Sequence, residues 1–431
     1  MIQIVSPASL SGTLAVMPSK SASHRALMLA AMARGTTELA PLQRSRDVEA
    51  TLACARALGL MREAQLSPDA QPGFVRARIT GAQTAPEGGL RTLDCGESGS
   101  TLRFFIPLAL DGRGPVRFIG HGRLMQRPLD VYEQLFVPRG VSWLQEGDAL
   151  TVEGALRSGE YALRGDVSSQ FITGLLLALP LLRGDSTIRI TTALESRAYV
   201  ELTRRVQAAF GIISRWQTPD TLYIPGGQTV VSPGAAQVES DWSHAAFYLV
   251  AGALGHAGPL TLLGPDPESA QGDRAIVPIL QAMGARIETH GSSLTVYPSA
   301  LHGETVDVSQ VPDLVPALAV AMAGAQGESR ITGAARLRIK ESDRLSAIAG
   351  ALRACGADVT ELPDGLILCG GRRLGGAAVD GCNDHRIVMA MAVAAALSDG
   401  EIAISDAQAV AKSAPAFWAE YASLGGLARE A

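Results

Sequence analysis

Small apolar residues gather along this chain in helical runs of about a dozen positions, each opened by a polar cluster and closed by a Gly or Asp turn. A short β-rich stretch follows each turn. Six segments share this plan, beginning at Lys20-Ser-Ala-Ser-His-Arg25, Gly96-Glu-Ser-Gly-Ser-Thr-Leu-Arg103, Val167-Ser-Ser-Gln170, Asp241-Trp-Ser-His244, Val311-Pro-Asp313 and Cys382-Asn-Asp-His-Arg386. Their starts recur every 70 to 76 residues, far beyond the period of a solenoid. A second helix is expected after the strand in the first five copies, for example over Asp47–Leu58, Tyr199–Phe210, Arg274–Met283 and Arg344–Cys355. Each of these four is followed by Gly, which suits a left-handed cap. Two strands come next, as at Leu150-Thr-Val-Glu153 and Leu294-Thr-Val-Tyr297. The sixth copy is expected to end instead with a helix around Ala414–Leu424.

The repeat is therefore close to βαβαββ. A sheet with helices on one side must bury them against something, and three units that share their helical faces satisfy this. Six units predict an α/β protein of two domains, each of three units. The repeat begins in mid-unit, so the first strand is expected to join the second half. That assigns 1–18 plus 236–431 to one domain and 19–235 to the other, with crossovers near 18–20 and 226–238.

A net charge of −5 over 431 residues argues against non-specific nucleic-acid binding, which needs a broad basic surface. Local cation clusters still suit small anionic ligands. The five cysteines are odd in number and lack CxxC spacing, which indicates neither a disulfide framework nor a zinc site. Lys20 is the first Lys or Arg, so no signal-peptide n-region is read. Apolar runs such as Phe171–Leu182 are too short to span a bilayer. No phosphate loop of the GxxxxGK[ST] type and no GxGxxG after a strand occurs. These features predict a cytoplasmic monomer without metal, cofactor, nucleic-acid or membrane partner.

Six of the nine residues Arg336-Leu-Arg-Ile-Lys-Glu-Ser-Asp-Arg344 are charged, in a chain that is 18% charged overall. They run into a helical pattern, with Ser342 or Asp343 as a candidate N-cap. Taken alone, the stretch reads equally well as a solvated charged turn. Cations recur, however, at the other helix starts, as Lys20, Arg25, Arg103, Arg127 and Arg386. A cation there opposes the helix dipole at a cost of roughly 0.3–1 kcal/mol, so several such placements point to function. Together with Lys340, Arg344 and Lys412 they suit two or three phosphate or carboxylate groups. Ser168, Ser169 and Ser196 add hydroxyls. Asp313 and Glu341, beside cations or a helix start, are the carboxylates singled out for proton transfer.

In this order, Pro18-Ser-Lys-Ser-Ala-Ser-His-Arg25, Gly96-Glu-Ser-Gly-Ser-Thr-Leu-Arg103, Gln126-Arg-Pro128, Val167-Ser-Ser-Gln170, Ser196 with Tyr199, Val311-Pro-Asp313, Arg338-Ile-Lys-Glu-Ser-Asp-Arg344 and Asn383-Asp-His-Arg386 resemble the 5-enolpyruvylshikimate-3-phosphate synthase family of enolpyruvyl transferases over essentially the whole chain. The resemblance implies two domains of three βαβαββ units with helices packed inward, an inside-out α/β barrel, and a hinged cleft between them. It also implies transfer of the carboxyvinyl group of phosphoenolpyruvate to the 5-hydroxyl of shikimate 3-phosphate. By the same resemblance, Ser168, Ser169, Ser196 and Lys340 hold the shikimate phosphate. Lys20, Ser21, Arg25, Gln170, Asp313 and Arg336 hold the rest of that substrate, with Tyr199 nearby. Lys20, Gly99, Arg127, Gln170, Arg344, Arg386 and Lys412 hold phosphoenolpyruvate, and Asp313, Glu341 and Lys20 are catalytic. Glu97 and Arg336 depart from the family, each standing where many members have Asn. The sister transferase acting on UDP-N-acetylglucosamine is the alternative. It has Lys-Asn where this chain has Lys20-Ser21, and a cysteine where His121–Arg127 has none.

Overall fold

A computed structural model of the chain describes residues 1–82 and 88–431. Among the described residues the strands form six four-stranded sheets. All six share one pattern, typified by Glu160–Leu163 lying parallel to Ser186–Ile190, which pairs antiparallel with Thr221–Ile224, itself antiparallel to Arg215–Thr218. In this example, read in chain order, a parallel pair is followed by a hairpin. Two helices per unit complete βαβαββ. They are α1 (Lys20–Met32), α2 (Arg46–Ala57), α3 (Gly99–Ala109), α4 (Asp130–Phe136), α5 (Ser169–Ala178) and α6 (Arg197–Ala209), then α7 (Trp242–Leu254), α8 (Ile276–Ala282), α9 (Val315–Gly324), α10 (Arg344–Ala354), α11 (His385–Ala394) and α12 (Phe417–Ser423). The expected glycine stops are real. Gly59 and Gly356 follow α2 and α10 with φ of +76° and +85°, a conformation that costs glycine nothing.

The chain divides into two compact units, Pro18–Val238 and Met1–Met17 with Glu239–Ala431. In the discontinuous unit α7, α9 and α11 pack against one another. Every residue from Val315 to Ala323 is buried, as a helix apolar on all sides must be. In the Pro18–Val238 unit the corresponding helices are α1, α3 and α5. There α3 and α5 approach closely at Gly174, where a Cβ would stand 2.4 Å from the Arg103 carbonyl oxygen. The sheets lie outside these helices with alternating burial, as along Ser186–Ile190.

Two strands pair away from the helix that each precedes in sequence. Gly12–Ala15 precedes α1 in sequence, yet lies parallel to Leu260–Leu263. Conversely, Ala235–Gln237 precedes α7 but pairs with Glu38–Ala40. The crossings therefore fall after Met17 and after Val238, a residue earlier and three residues later than the repeat phase suggests. The second crossing falls at the end of the expected 226–238 range; earlier in that range Arg34 N still donates to Val230 O at 2.9 Å. The sixth repeat also differs from expectation. It does not end with its helix: Leu427–Glu430 follows α12, and the N-terminal Gln3–Ser6 closes the sheet between Ile402–Ile404 and Leu427–Glu430.

Candidate active site

The charged helix starts gather into one residue set in each unit. In the discontinuous unit the set is built on Arg344, the first residue of α10. Asp343 is its cap, accepting from Ser346 N at 3.1 Å, so that the Arg344 side chain turns inward with 1% exposure. Its guanidinium donates to three carboxylates. Nε reaches Asp384 Oδ2 at 2.9 Å, Nη1 reaches Asp313 Oδ1 at 3.0 Å and Nη2 reaches Glu341 Oε2 at 2.8 Å. Burial works against the charge, but Asp384, Glu341 and Asp313 together push the guanidinium above its ordinary value.

Asp313 sits in a short 3-10 turn, Pro312–Leu314, leading into α9. Arg386, in the first turn of α11, donates to Asp313 Oδ2 at 3.0 Å and to its carbonyl at 3.1 Å. The carboxylate is thus held by two arginines, one per oxygen. Burial opposes its ionisation, yet Arg386, Lys340 and Arg344 overcome that and hold it well below the usual carboxylate range. The Lys340 ammonium is pushed down to about 8, by burial first, with Asp313 pulling the other way and Arg336 adding to the depression. Arg336 is anchored through Nη2 to the Ser309 carbonyl at 2.6 Å. Lys412 donates to the Asn383 carbonyl at 2.5 Å, just before α11.

Two carboxylates that the sequence reading did not single out complete this set. Asp384 is fully buried and caps α11 through Arg386 N at 3.0 Å while also accepting from Ser342 Oγ at 3.0 Å. Asp273 accepts a hydrogen bond from Ser243. Burial, followed by the neighbouring Asp313, pushes its carboxyl up to about 7. Asp384 lay inside the Asn383-Asp-His-Arg386 motif, which was its only signal. The signal for Asp273 was an isolated Gly272-Asp-Arg274.

In the Pro18–Val238 unit the set lies at the starts of α1, α3, α5 and α6. Ser19 caps α1 and leaves Lys20 as its first residue, 3.0 Å from Asp47 Oδ2 on α2. Arg25, one turn further, is buried. It donates through Nε to Thr203 Oγ1 at 2.8 Å, and through Nη1 and Nη2 to the carbonyls of Ser21 and Tyr199 at 2.7 and 3.2 Å. The Tyr199 ring lies 5.9 Å from it. Burial brings the guanidinium down to about 10.

Ser168 caps α5 and Ser169 is its first residue. Gln170 is fixed from α3, its Oε1 accepting from Arg103 at 2.7 Å and its Nε2 donating to Ser100 Oγ at 3.0 Å. Arg103 therefore orients Gln170 rather than presenting a spare cation. Ser196, before α6, adopts a left-handed φ of 55°, an uncommon choice for a non-glycine residue that marks a constrained turn.

Gly99 and Arg127 form a tight pair. A Cβ on Gly99 would stand 2.6 Å from Arg127 Nη1 and 2.8 Å from Cζ, closer than carbon and nitrogen tolerate. Arg127 ends the short 3-10 turn Leu124–Gln126 and is only 7% exposed, so it has little room to yield. Gly99→Ala is expected to fold and to raise KM for the ligand of Arg127 by about tenfold, roughly 1.4 kcal/mol, with a much smaller change in kcat. An unchanged KM would mean that Arg127 is not a ligand-binding group. Glu97 lies over Gly122, its Oε2 standing 2.6 Å from where a Cβ would be.

Among the described residues no group of three or more His, Cys, Asp or Glu is placed to hold a metal ion, and no helix is long and apolar enough to cross a membrane.

Comparison with known proteins covers the whole chain. A 3-phosphoshikimate 1-carboxyvinyltransferase of Clostridium perfringens is 40% identical, covering 99% of both chains. One from Clostridium kluyveri is 42% identical over 98% of this chain and 97% of its own. The solved EPSP synthase of Acinetobacter baumannii superposes with a TM-score of 0.78 at 26% identity, covering 100% of each chain. The enolpyruvyl transferase NikO of Streptomyces tendae shares the fold, with a TM-score of 0.77 at 18% identity, over 99% of this chain and 98% of its own. Residues 4–421 match the EPSP synthase (3-phosphoshikimate 1-carboxyvinyltransferase) family, and the chain belongs to it.

Proposed function

We infer that the chain transfers the enolpyruvyl group of phosphoenolpyruvate to the 5-hydroxyl of shikimate 3-phosphate, giving 5-enolpyruvylshikimate 3-phosphate and inorganic phosphate. The observation that carries the reading is Asp313 suspended between Arg344 and Arg386. Transfer with loss of phosphate requires that the 5-hydroxyl lose a proton and that the vinyl methylene gain one before giving it back. It also requires that charge developing on the enolpyruvyl carbon be met by nearby anions. Asp313 and Glu341 supply two carboxylates, both hydrogen-bonded to Arg344.

The arginines also gate the base. With no anion bound they neutralise Asp313 and keep it weak. When the carboxylate and phosphate of phosphoenolpyruvate engage Arg344 and Arg386, those cations are shared and Asp313 gains basicity. The hydroxyl of shikimate 3-phosphate then meets a base that phosphoenolpyruvate has activated. On this reading Ser168, Ser169, Ser196 and Lys340 take the shikimate phosphate, while Lys20, Ser21, Arg25, Gln170, Tyr199, Asp313 and Arg336 surround the rest of it. Lys20, Gly99, Arg127, Gln170, Arg344, Arg386 and Lys412 take phosphoenolpyruvate. A cytoplasmic, monomeric enzyme belongs to the same reading, and light scattering of the purified chain tests its monomeric state.

Lys340 gives a pH prediction. Its free-state value of about 8 lies below that of an ordinary lysine, so in the free protein the charged form is lost as pH rises through 8. A phosphate ligand needs that charge. The KM for shikimate 3-phosphate is therefore expected to climb above pH 8, approaching tenfold per pH unit. Lys340→Arg keeps its charge and should flatten the climb; parallel profiles for the two proteins would remove Lys340 from the phosphate site. The reading as a whole is tested by phosphate release from phosphoenolpyruvate, with shikimate 3-phosphate or with UDP-N-acetylglucosamine as acceptor. Release is expected with the first alone, and release with only the nucleotide sugar overturns the reading.

A further inference from the structure

Lys20 occupies a first helical turn, where a cation is disfavoured by the dipole, and Asp47 offsets this. The two side chains lie 3.0 Å apart and are largely screened, with exposures of 16% and 11%. Asp47 is itself held from behind. It is the second residue of α2, whose cap Ser45 accepts from Val48 N at 3.3 Å, and its carbonyl accepts from Thr51 Oγ1 at 3.2 Å. Thr51 lies 2.6 Å from His24 Nδ1 on α1 and 2.8 Å from Thr101 Oγ1 on α3. Thr101 in turn donates to Ser98 Oγ at 2.8 Å, and Ser98 caps the helix that begins at Gly99. A buried run of polar contacts thus ties together the first turns of α1, α2 and α3. His24 within it is kept neutral, its pKa lowered by burial and by the nearby Lys20 and Arg25.

We propose that Asp47 is a positioning residue for the reaction, fixing the Lys20 ammonium relative to the Gly99–Arg127 pair so that phosphoenolpyruvate meets both. The proposal rests on the function inferred above. An ammonium on a four-carbon stem has many orientations of similar energy. A buried carboxylate, carried on a helix whose first turn is tied to its neighbours through Thr51, selects one of them before the substrate arrives, which is how a positioned group lowers a barrier.

Asp47→Asn keeps the shape and removes the charge. It is expected to lower kcat/KM for phosphoenolpyruvate by about tenfold or more, with KM for shikimate 3-phosphate held within about threefold. Asp47→Glu keeps the charge, shifted by one methylene, and its loss should be smaller, about threefold, and fall on the same parameter. It carries the test if the asparagine variant does not fold. In a Lys20→Ala background, measured on its residual activity, Asp47→Asn should change kcat/KM by less than about threefold, because the group it positions is gone. Wild-type kcat/KM in Asp47→Asn, or the full loss repeated in the Lys20→Ala background, overturns the proposal. A wild-type chain that releases no phosphate from the substrate pair overturns the functional reading with it. A wild-type chain that turns over beside an unaffected Asp47→Asn sinks the positioning role alone.

Discussion

Asp313→Ala is expected to lose most of its turnover, on the order of a thousandfold, while its affinity for both substrates stays within about tenfold. A loss of that size lies in the middle of the roughly 10²–10⁴-fold range that a positioned acid or base contributes. Binding survives for a reason visible in the geometry. Removing the carboxylate leaves Arg344 and Arg386 without the partner they share, and phosphoenolpyruvate brings anions that replace it. Steady-state kinetics and calorimetric titration of the variant check both halves. Full activity would take the base role away from Asp313, and lost affinity with intact kcat would make it a binding group only.

Arg344→Ala has the larger structural effect. Its guanidinium is the shared partner of Asp313, Glu341 and Asp384, and Asp384 is completely buried. Taking away one member of a buried ion pair costs about 3–5 kcal/mol, since the remaining charge stays without compensation. Here three carboxylates lose the same cation. The thermal midpoint should fall by on the order of 10 °C, and activity should be lost together with affinity for phosphoenolpyruvate. Arg344→Lys should recover little, because one ammonium does not serve three carboxylates in a fixed fork. A midpoint within 2 °C of wild type, at about 2–4 °C per kcal/mol, would show that the three acids are solvated or neutral.

The repeat was readable because each unit spells out its own helix starts and glycine stops, and these depend only on local backbone chemistry. Lys20, Arg127, Arg344 and Arg386 stood out for a related reason, since cations recur at helix starts, where the dipole disfavours them, whereas Asp313 stood out only by its place at a helix start within Val311-Pro-Asp313. The placement of Gly12–Ala15 and Ala235–Gln237 left a fainter mark. The repeat phase hinted at it, but which edge a strand joins is decided by a ladder to residues far along the chain, at Leu260–Leu263 and Glu38–Ala40. The last strand of the sixth sheet is the extreme case, contributed by Gln3–Ser6 to partners some 400 residues away. Asp47 and Asp384 were hidden differently. An acid in the first turn of α2, or at the N-cap of α11, is what ordinary helix chemistry favours, so nothing in sequence separates the cap from the clamp. Only their contacts with Lys20 and Arg344 do so.

The titration of the Asp313 carboxyl carbon, followed by NMR in the Glu341→Gln variant so that turnover is slow, tests the gate directly. In the free protein Asp313 should stay ionised far below the range of the other carboxylates, and with shikimate 3-phosphate and phosphoenolpyruvate present its titration should move up. An Asp313 that titrates among ordinary carboxylates in the free protein, or does not move when both substrates are added, would contradict the account.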